Sequence, residues 1–357
     1  MDSVRKTMQE AVGQGIFPGA VLLCARHGKI RFHEAFGTAC LETGRPVTIH
    51  TWFDLASLTK PLATACCFLV LASFGELSVD APLGKLLPPL TGTPREGVTL
   101  AQTLAHTAGY PEYKPYHEEL FRLPSTLRVP RLRALLAHEP LEYPPGEKTV
   151  YGDPAYMVLQ WVLERILGKP LDAAARKLVF RPLGIRALDF SPPASAAVAA
   201  TEKDPETGEY LQGVVHDENA RALGGVAGHA GLFGTAAGVC ALVSALLAAF
   251  HGWKNPVFDP DAVRDFLTRK PGPGGHVLGF DTPTRPHSSS GAWFGDRSVG
   301  HLGFTGTSFW ADLDTGTVVV LLTNRVHPSR ENDGIRAFRP LIHDRVMEAL
   351  ARIIHEA

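Results

Sequence analysis

The chain has almost no excess charge: 35 Lys and Arg stand against 36 Asp and Glu in 357 residues, a formal net charge of -1. Without a basic surplus there is no electrostatic case for a nucleic-acid partner or a polybasic hold on a membrane. Cysteine is scarce, five residues at irregular spacings (Cys24, Cys40, Cys66, Cys67, Cys240) with no C-x-x-C. Such a scattered, odd set reads as reduced buried thiols, not as a disulfide framework. Met1 to Lys6 lack the apolar run of a signal peptide, which points to a cytoplasmic protein. Long apolar runs are also few. Ala230–Phe250 carries no charge, but Gly231, Gly234 and Gly238 interrupt its front half. A helix beginning near Thr235, an N-cap type, is too short to span a bilayer and is expected to pack inside a soluble protein.

Several familiar chemistries are missing as well. No Gly-Lys pair is followed by Ser or Thr, so there is no P-loop, and Gly224 to Gly228 lack dinucleotide-site spacing. There is no H-E-x-x-H and no His/Cys cluster at zinc spacing, so neither a metal nor a cofactor is expected. No serine stands in G-x-S-x-G, which removes the commonest hydrolase scaffold and leaves hydrolysis to another route.

What is present is a chain of 357 residues, 45% of them hydrophobic, enough for a large buried core. Residues 2–14 have the pattern of an amphipathic helix. The runs 20–26 and 29–36 around His27-Gly28 read as a β-hairpin. An apolar helix is expected over 57–74, with Pro61 tolerated in its first turn. Short helical patterns at 100–106, 131–138, 155–167 and 171–180 then alternate with Pro- and Gly-rich loops. A second strand pair, 303–313 and 317–324, turns at Asp314-Thr315-Gly316, and 334–354 closes the chain as a helix. Pro271–Gly291 reads as a long loop. Strands at both ends with helices between predict an α+β fold. In it, 1–80 and 226–357 build one antiparallel sheet flanked by helices, 81–225 form an inserted, mostly helical domain, and the active site lies between.

The informative stretch is Phe53-Asp54-Leu55-Ala56-Ser57-Leu58-Thr59-Lys60-Pro61, an S-x-x-K at a helix start. Residues three apart share a helix face, so Lys60 can reach the Ser57 hydroxyl. Serine is a weak nucleophile until a neighbouring base takes its proton. The helix N-terminus adds partial positive charge near a developing oxyanion. Alone the motif is weak, and Ser3-Val4-Arg5-Lys6 is another match. Two further stretches strengthen it: Tyr151-Gly152-Asp153, after the turn Pro144-Pro145-Gly146, and the glycine-dense Gly300-His301-Leu302-Gly303-Phe304-Thr305-Gly306-Thr307. Glycine that dense at a strand edge marks close backbone approach.

Together these resemble the serine β-lactamase and penicillin-binding-protein superfamily, in its branch near class C β-lactamases and β-lactamase-fold esterases. That family is marked by S-x-x-K, Y-x-N and K-T-G or H-x-G in this order. Phe17-Pro18-Gly19-Ala20, Leu104-Ala105-His106-Thr107-Ala108-Gly109 and Gly228-His229-Ala230-Gly231-Leu232-Phe233-Gly234-Thr235-Ala236 are similar to further stretches of it. The resemblance implies Ser57 as acylated nucleophile, Lys60 as sharer or relay of its proton, and Tyr151 as base and then acid. It implies an oxyanion hole of the Ser57 and Phe304 amides, with Asp153, His301, Gly303 and Tyr113 on the substrate side. Tyr110 and Tyr116 fall on the same substrate-side loop.

Three departures shape the expected substrate. Asp153 replaces asparagine, and its carboxylate cannot donate to a substrate amide. His301-Leu302-Gly303 lacks the lysine and threonine that grip a carboxylate. Val326 to Arg330 does not reproduce the carboxylate-binding residues of class C enzymes. A small ester or amide is therefore expected, with weak β-lactam turnover. A D-amino-acid peptidase or carboxypeptidase on peptidoglycan-like peptides is the alternative, and a non-catalytic ligand-binding protein the alternative of another class. His216 within Val215–Asn219 reads as a loop hydrogen-bonding residue, whereas His229 fits either a pocket or a structural role.

Overall fold

The computed structural model describes residues 1–268 and 277–355. Strands β1 (Gly19–Arg26) and β2 (Lys29–Cys40) form the expected hairpin, turning through His27 and Gly28, both at positive φ (47° and 72°). β3 (Arg45–Pro46) follows on the edge, then β4 (Phe53–Asp54), β5 (Leu188–Asp189) and β6 (Phe233–Gly234). Near the C-terminus come β7 (Val299–Leu302), β8 (Ser308–Asp312) and β9 (Thr317–Thr323). The main sheet has the order β3-β2-β1-β9-β8-β7 and every pairing in it is antiparallel.

Period-2 alternation sends β1 into two separate cores. Val21, Leu23 and Ala25 face the helices Cys66–Ser73 and Ala236–Phe250, whereas Ala20, Leu22 and Cys24 face the terminal helices Asp2–Gly13 and Ile335–His355. β9 divides in the same way, Val318, Val320 and Leu322 against Val319 and Leu321. Burying each Val or Leu among these contributes roughly 1.5–3 kcal/mol. The first core runs on through Leu100–Leu104, Ser125–His138, Pro154–Leu167 and Leu171–Ala175, so the helical block shares it with the sheet.

Local chemistry moves several expected boundaries. The strand read from Gly303 begins only at Ser308 as β8, and β7 lies before it, because residues 303–307 turn between them: Gly303 N–H bonds to Thr307 O (2.7 Å) and Gly306 sits at φ 103°. Leu100–Leu104 stops short of His106, whose φ of 58° no helix accommodates. The helix expected from Arg131 starts at Ser125 and carries Pro130 inside it. Thr235 caps Ala236–Phe250 as expected, accepting from the Gly238 amide (3.2 Å). Helix Ala56–Ser73 is long and apolar enough to cross a membrane, yet 83% of it is buried inside the protein. All five cysteines are free and buried. Of the loop read over Pro271–Gly291, residues 271–276 lie outside the described residues. Val277–Gly291 has no helix or strand and is tied to β7 by the Asp281–Gly300 bridge.

Candidate active site

A small sheet, β4-β6-β5, brings the chain just before Ser57 against Phe233–Gly234. Ala56 sits at φ +47°, a left-handed conformation that costs a residue with a Cβ about 1–3 kcal/mol. Its neighbours hold it there. Asp54 Oδ1 accepts the Ala56 amide (2.8 Å), Asp54 Oδ2 accepts the His216 amide (2.7 Å), and Thr59 Oγ1 donates to Ala56 O (2.6 Å). The Leu232 amide in turn donates to Thr59 Oγ1 (3.0 Å). This turn delivers Ser57, partly exposed, to the head of the long helix, which opens as a 3₁₀ turn (Ala56–Leu58) and a π-turn (Lys60–Ala65).

Lys60 is 0% exposed and reaches back along its own helix. Its Nζ lies 3.1 Å from Ser57 Oγ, 2.7 Å from Tyr151 Oη, 2.7 Å from Asp153 Oδ1 and 3.3 Å from the His229 carbonyl. The hydroxyl, amine and phenol named from the sequence therefore meet. Burial pulls the Lys60 pKa down, but the Asp153 carboxylate and the Tyr151 oxygen outweigh it and hold the ammonium above its ordinary range. Burial pushes the Tyr151 phenol up; Lys60 pulls it down, Asp153 pushes it up, and it ends above its ordinary value.

Two neutral imidazoles hold the Tyr151 ring. His106 lies 4.8 Å away and His301 5.6 Å, centroid to centroid. His106 Nδ1 accepts the Gly152 amide (3.2 Å), so its proton sits on Nε2. His301 Nδ1 donates to the Leu302 carbonyl (2.8 Å), leaving Nε2 an acceptor. Burial, then the Lys60 charge, drives His106 well below its usual value and His301 to about 3. His301 is buried against the tyrosine.

The second half of the site comes from the other end of the chain. Gly303 packs on Leu55 and Ala56 so closely that a Cβ would stand 2.7 Å from Leu55 O and 2.0 Å from Thr307 Oγ1. Thr305 Oγ1 donates to Asp54 O (2.7 Å) and Thr307 Oγ1 to Leu55 O (3.0 Å), clamping the two turns together. The backbone amides of Ser57 and Phe304 have no acceptor among the described residues. The Phe304 ring stacks on His216 (5.6 Å, 25° between planes) and lies under Arg325 (4.6 Å), whose Nε donates to Phe304 O (2.9 Å).

The rim is crowded with charge already paired. Arg330 binds Glu202 and Glu218, His216 Nε2 also contacts Glu202 (2.8 Å), and Arg325 is spent on the Arg330 and Asn332 carbonyls. Asp217 caps the helix Glu218–Ala222 and bonds His229 Nε2 (2.9 Å). Asp153, Asp217 and His229 bring polar atoms within 4.8 Å of one another. Of these groups the Lys60 ammonium meets Asp153 Oδ1 and the His229 carbonyl. Of the three loop tyrosines, only Tyr113 is exposed, and it feels the Glu218, Asp217 and Asp153 charges. Tyr110 and Tyr116 are buried, the latter donating to Glu139 Oε2 (2.9 Å), so they pack the core instead of facing substrate. Sequence reading missed the roles of His106, visible only as part of a matching stretch, and of Asp217, whose N-cap position was the one available signal.

With this geometry in place, likeness to known proteins becomes informative. A protein of Escherichia coli (strain K12) named "Putative D-alanyl-D-alanine carboxypeptidase" is 30% identical over 347 residues, covering 87% of this chain and 79% of that protein. The solved structure of EstCE1, a hydrolase with promiscuous acyltransferase activity, superposes with a TM-score of 0.76 at 25% identity, over 97% of this chain and 98% of that one. A class C β-lactamase from Rhodobacter sphaeroides shares the fold (TM-score 0.71, 18% identity, 96% and 99% covered). The family model "Beta-lactamase" matches residues 4–342, and with the serine, lysine and tyrosine converging as its motifs imply, the chain belongs to the beta-lactamase family.

Proposed function

We propose that the protein is a serine hydrolase that forms an acyl-enzyme on Ser57 and turns over small neutral esters or amides. Ser57 Oγ attacks the substrate carbonyl while its proton passes to the Lys60–Tyr151 pair. The tetrahedral oxyanion rests on the Ser57 and Phe304 amides. The pair returns the proton to the departing alcohol or amine, leaving an acyl-serine. Water then attacks that ester with the same pair as base, releasing the acid and restoring Ser57. The observation that carries this reading is Lys60 Nζ standing 3.1 Å from Ser57 Oγ and 2.7 Å from Tyr151 Oη.

The preference for a neutral substrate is supported by the paired cations. Lys60 is matched by Asp153 and Arg330 by two glutamates, so neither is free to receive a substrate carboxylate. The test is a panel of chromogenic esters, D-amino acid anilides and β-lactams against wild type and Ser57→Ala. A short-chain aryl ester is expected to give the highest kcat/KM; a β-lactam that matches it overturns the preference.

A second reading, a carboxypeptidase acting on D-aminoacyl peptides, is supported by the name of the Escherichia coli relative. Release of a free D-amino acid from a D-aminoacyl-D-amino acid peptide, faster than ester turnover, would favour it. A purely ligand-binding role predicts no covalent adduct with either a fluorophosphonate or a penicillin, read by intact-protein mass.

A further inference from the structure

The family motif has asparagine where this chain has Asp153, and the structure shows what the carboxylate does. The Lys60 ammonium is closed off from water and meets four oxygens, of which only Asp153 Oδ1 belongs to a carboxylate. An ammonium removed from water is costly unless an anion faces it. We propose that Asp153 is a positioning residue that acts through Lys60: its carboxylate grips the ammonium between Ser57 and Tyr151 and governs when the lysine–tyrosine pair can give up the proton it must lose to act as base. This rests on the serine-hydrolase reading above and assigns Asp153 to the lysine, not to the substrate.

The surroundings leave Asp153 as the group in control. Ser57 and Lys60 come from the nucleophile helix, and Tyr151 and Asp153 from the loop ahead of Pro154–Leu167. From that helix the Tyr156 ring lies 5.7 Å from the ammonium. His106 arrives after Leu100–Leu104, and His301 on β7 with Arg339 acting behind it; both imidazoles are neutral. On the remaining side stand the His229 carbonyl and the Asp217–His229 contact. Asp217 feels Lys60, but its Oδ1 already accepts from His229 and the Ala220 amide.

In the resting site Lys60 donates to the Tyr151 oxygen. The pair titrates as a unit, and one proton must leave it before it can receive the one on Ser57. The carboxylate favours the protonated state of both members, raising each. Replacing it by a neutral amide of the same shape lowers both, whichever member loses the proton first.

The experiment follows the rate at which a neutral fluorophosphonate labels Ser57 as a function of pH, for wild type, Asp153→Asn, Asp153→Ser and Asp153→Glu. In that reaction the Ser57 oxygen–phosphorus bond forms, fluoride departs and the serine proton goes to the pair and on to solvent. The rising limb is expected to move to lower pH by about 1–3 units in Asp153→Asn and Asp153→Ser, and to stay near wild type in Asp153→Glu. Thermal unfolding of each variant identifies any that fails to fold, and either neutral variant alone suffices. A limb unmoved in a folded neutral variant, or displaced equally in Asp153→Glu, overturns the proposal. Absence of labelling in wild type at every pH instead sinks the serine-hydrolase reading itself.

Discussion

At the scale of single residues, the site depends on groups held where they would not rest alone. Ala56 is kept left-handed by Asp54 and Thr59, and Lys60 is kept charged without water by Asp153. Ser57→Ala removes the nucleophile and leaves this support intact. It is expected to lower kcat/KM roughly 10⁴-fold or more, to abolish the fluorophosphonate adduct, and to leave the melting temperature nearly unchanged. Intact-mass labelling and ester kinetics check it; an adduct surviving in Ser57→Ala would place the nucleophile elsewhere. Ser57, Lys60 and Tyr151 were legible in the sequence because helical spacing and ordered motifs are local signals. The partner of Asp153 was not. A carboxylate reads as substrate-facing until the fold shows that a cation beside it is the Lys60 amine, 93 positions away in sequence.

At the scale of elements, two turns from opposite ends of the chain form one cradle. The Gly303 turn can approach Leu55 only because it lacks a Cβ. Gly303→Ala must push the Phe304 amide away from Ser57. The expected result is a fall in kcat of about 10²–10³-fold, the effect of losing one oxyanion donor, with KM changed little. A kcat within threefold of wild type in a folded Gly303→Ala protein would remove Phe304 from the oxyanion hole. The helix Ala236–Phe250 supplies a contrasting case, remote from the chemistry. Thr235→Ala loses its cap on the Gly238 amide and is expected to cost about 1 kcal/mol in denaturant unfolding with ester turnover unchanged. That cap was legible from residue type alone. The turn at 303–307 that separates β7 from β8 was not, since the threonines that anchor it bond to residues some 250 positions away.

At the scale of the whole molecule, the sheet built from both termini followed from strand patterns at the two ends of the chain, and the antiparallel order bears it out. The way the helical block shares the sheet's core had no sequence signal, because heptads and alternation describe one element at a time. The buried histidines give the fold a pH dependence. Burial lowers His106 well below 6.5, His343 to about 4 and His301 to about 3. The unfolded chain therefore takes up protons that the folded chain refuses, and this stability, full above pH 6.5, drains as pH falls toward 4 and 3. Glu202, lowered to about 2, and Asp217, also lowered, continue the loss through the carboxylate range; Asp54, raised by burial, opposes it. The melting temperature is expected to fall steadily from pH 7 to 4, and a flat or rising profile would contradict the neutral state of these imidazoles.

The seam between β1 and β9 also constrains how the molecule is born. A ribosome releases Ser57, Lys60 and Tyr151 well before Phe304, and the strand that completes the sheet, Thr317–Thr323, follows later still. Until that strand arrives, β1 has one neighbour, and β7 and β8 have no strand joining them to it. Polypeptides cut short upstream of β9 thus carry Ser57, Lys60 and Tyr151 without the strand that joins β1 to β8, so these groups emerge before the sheet that sets them opposite Phe304 can close.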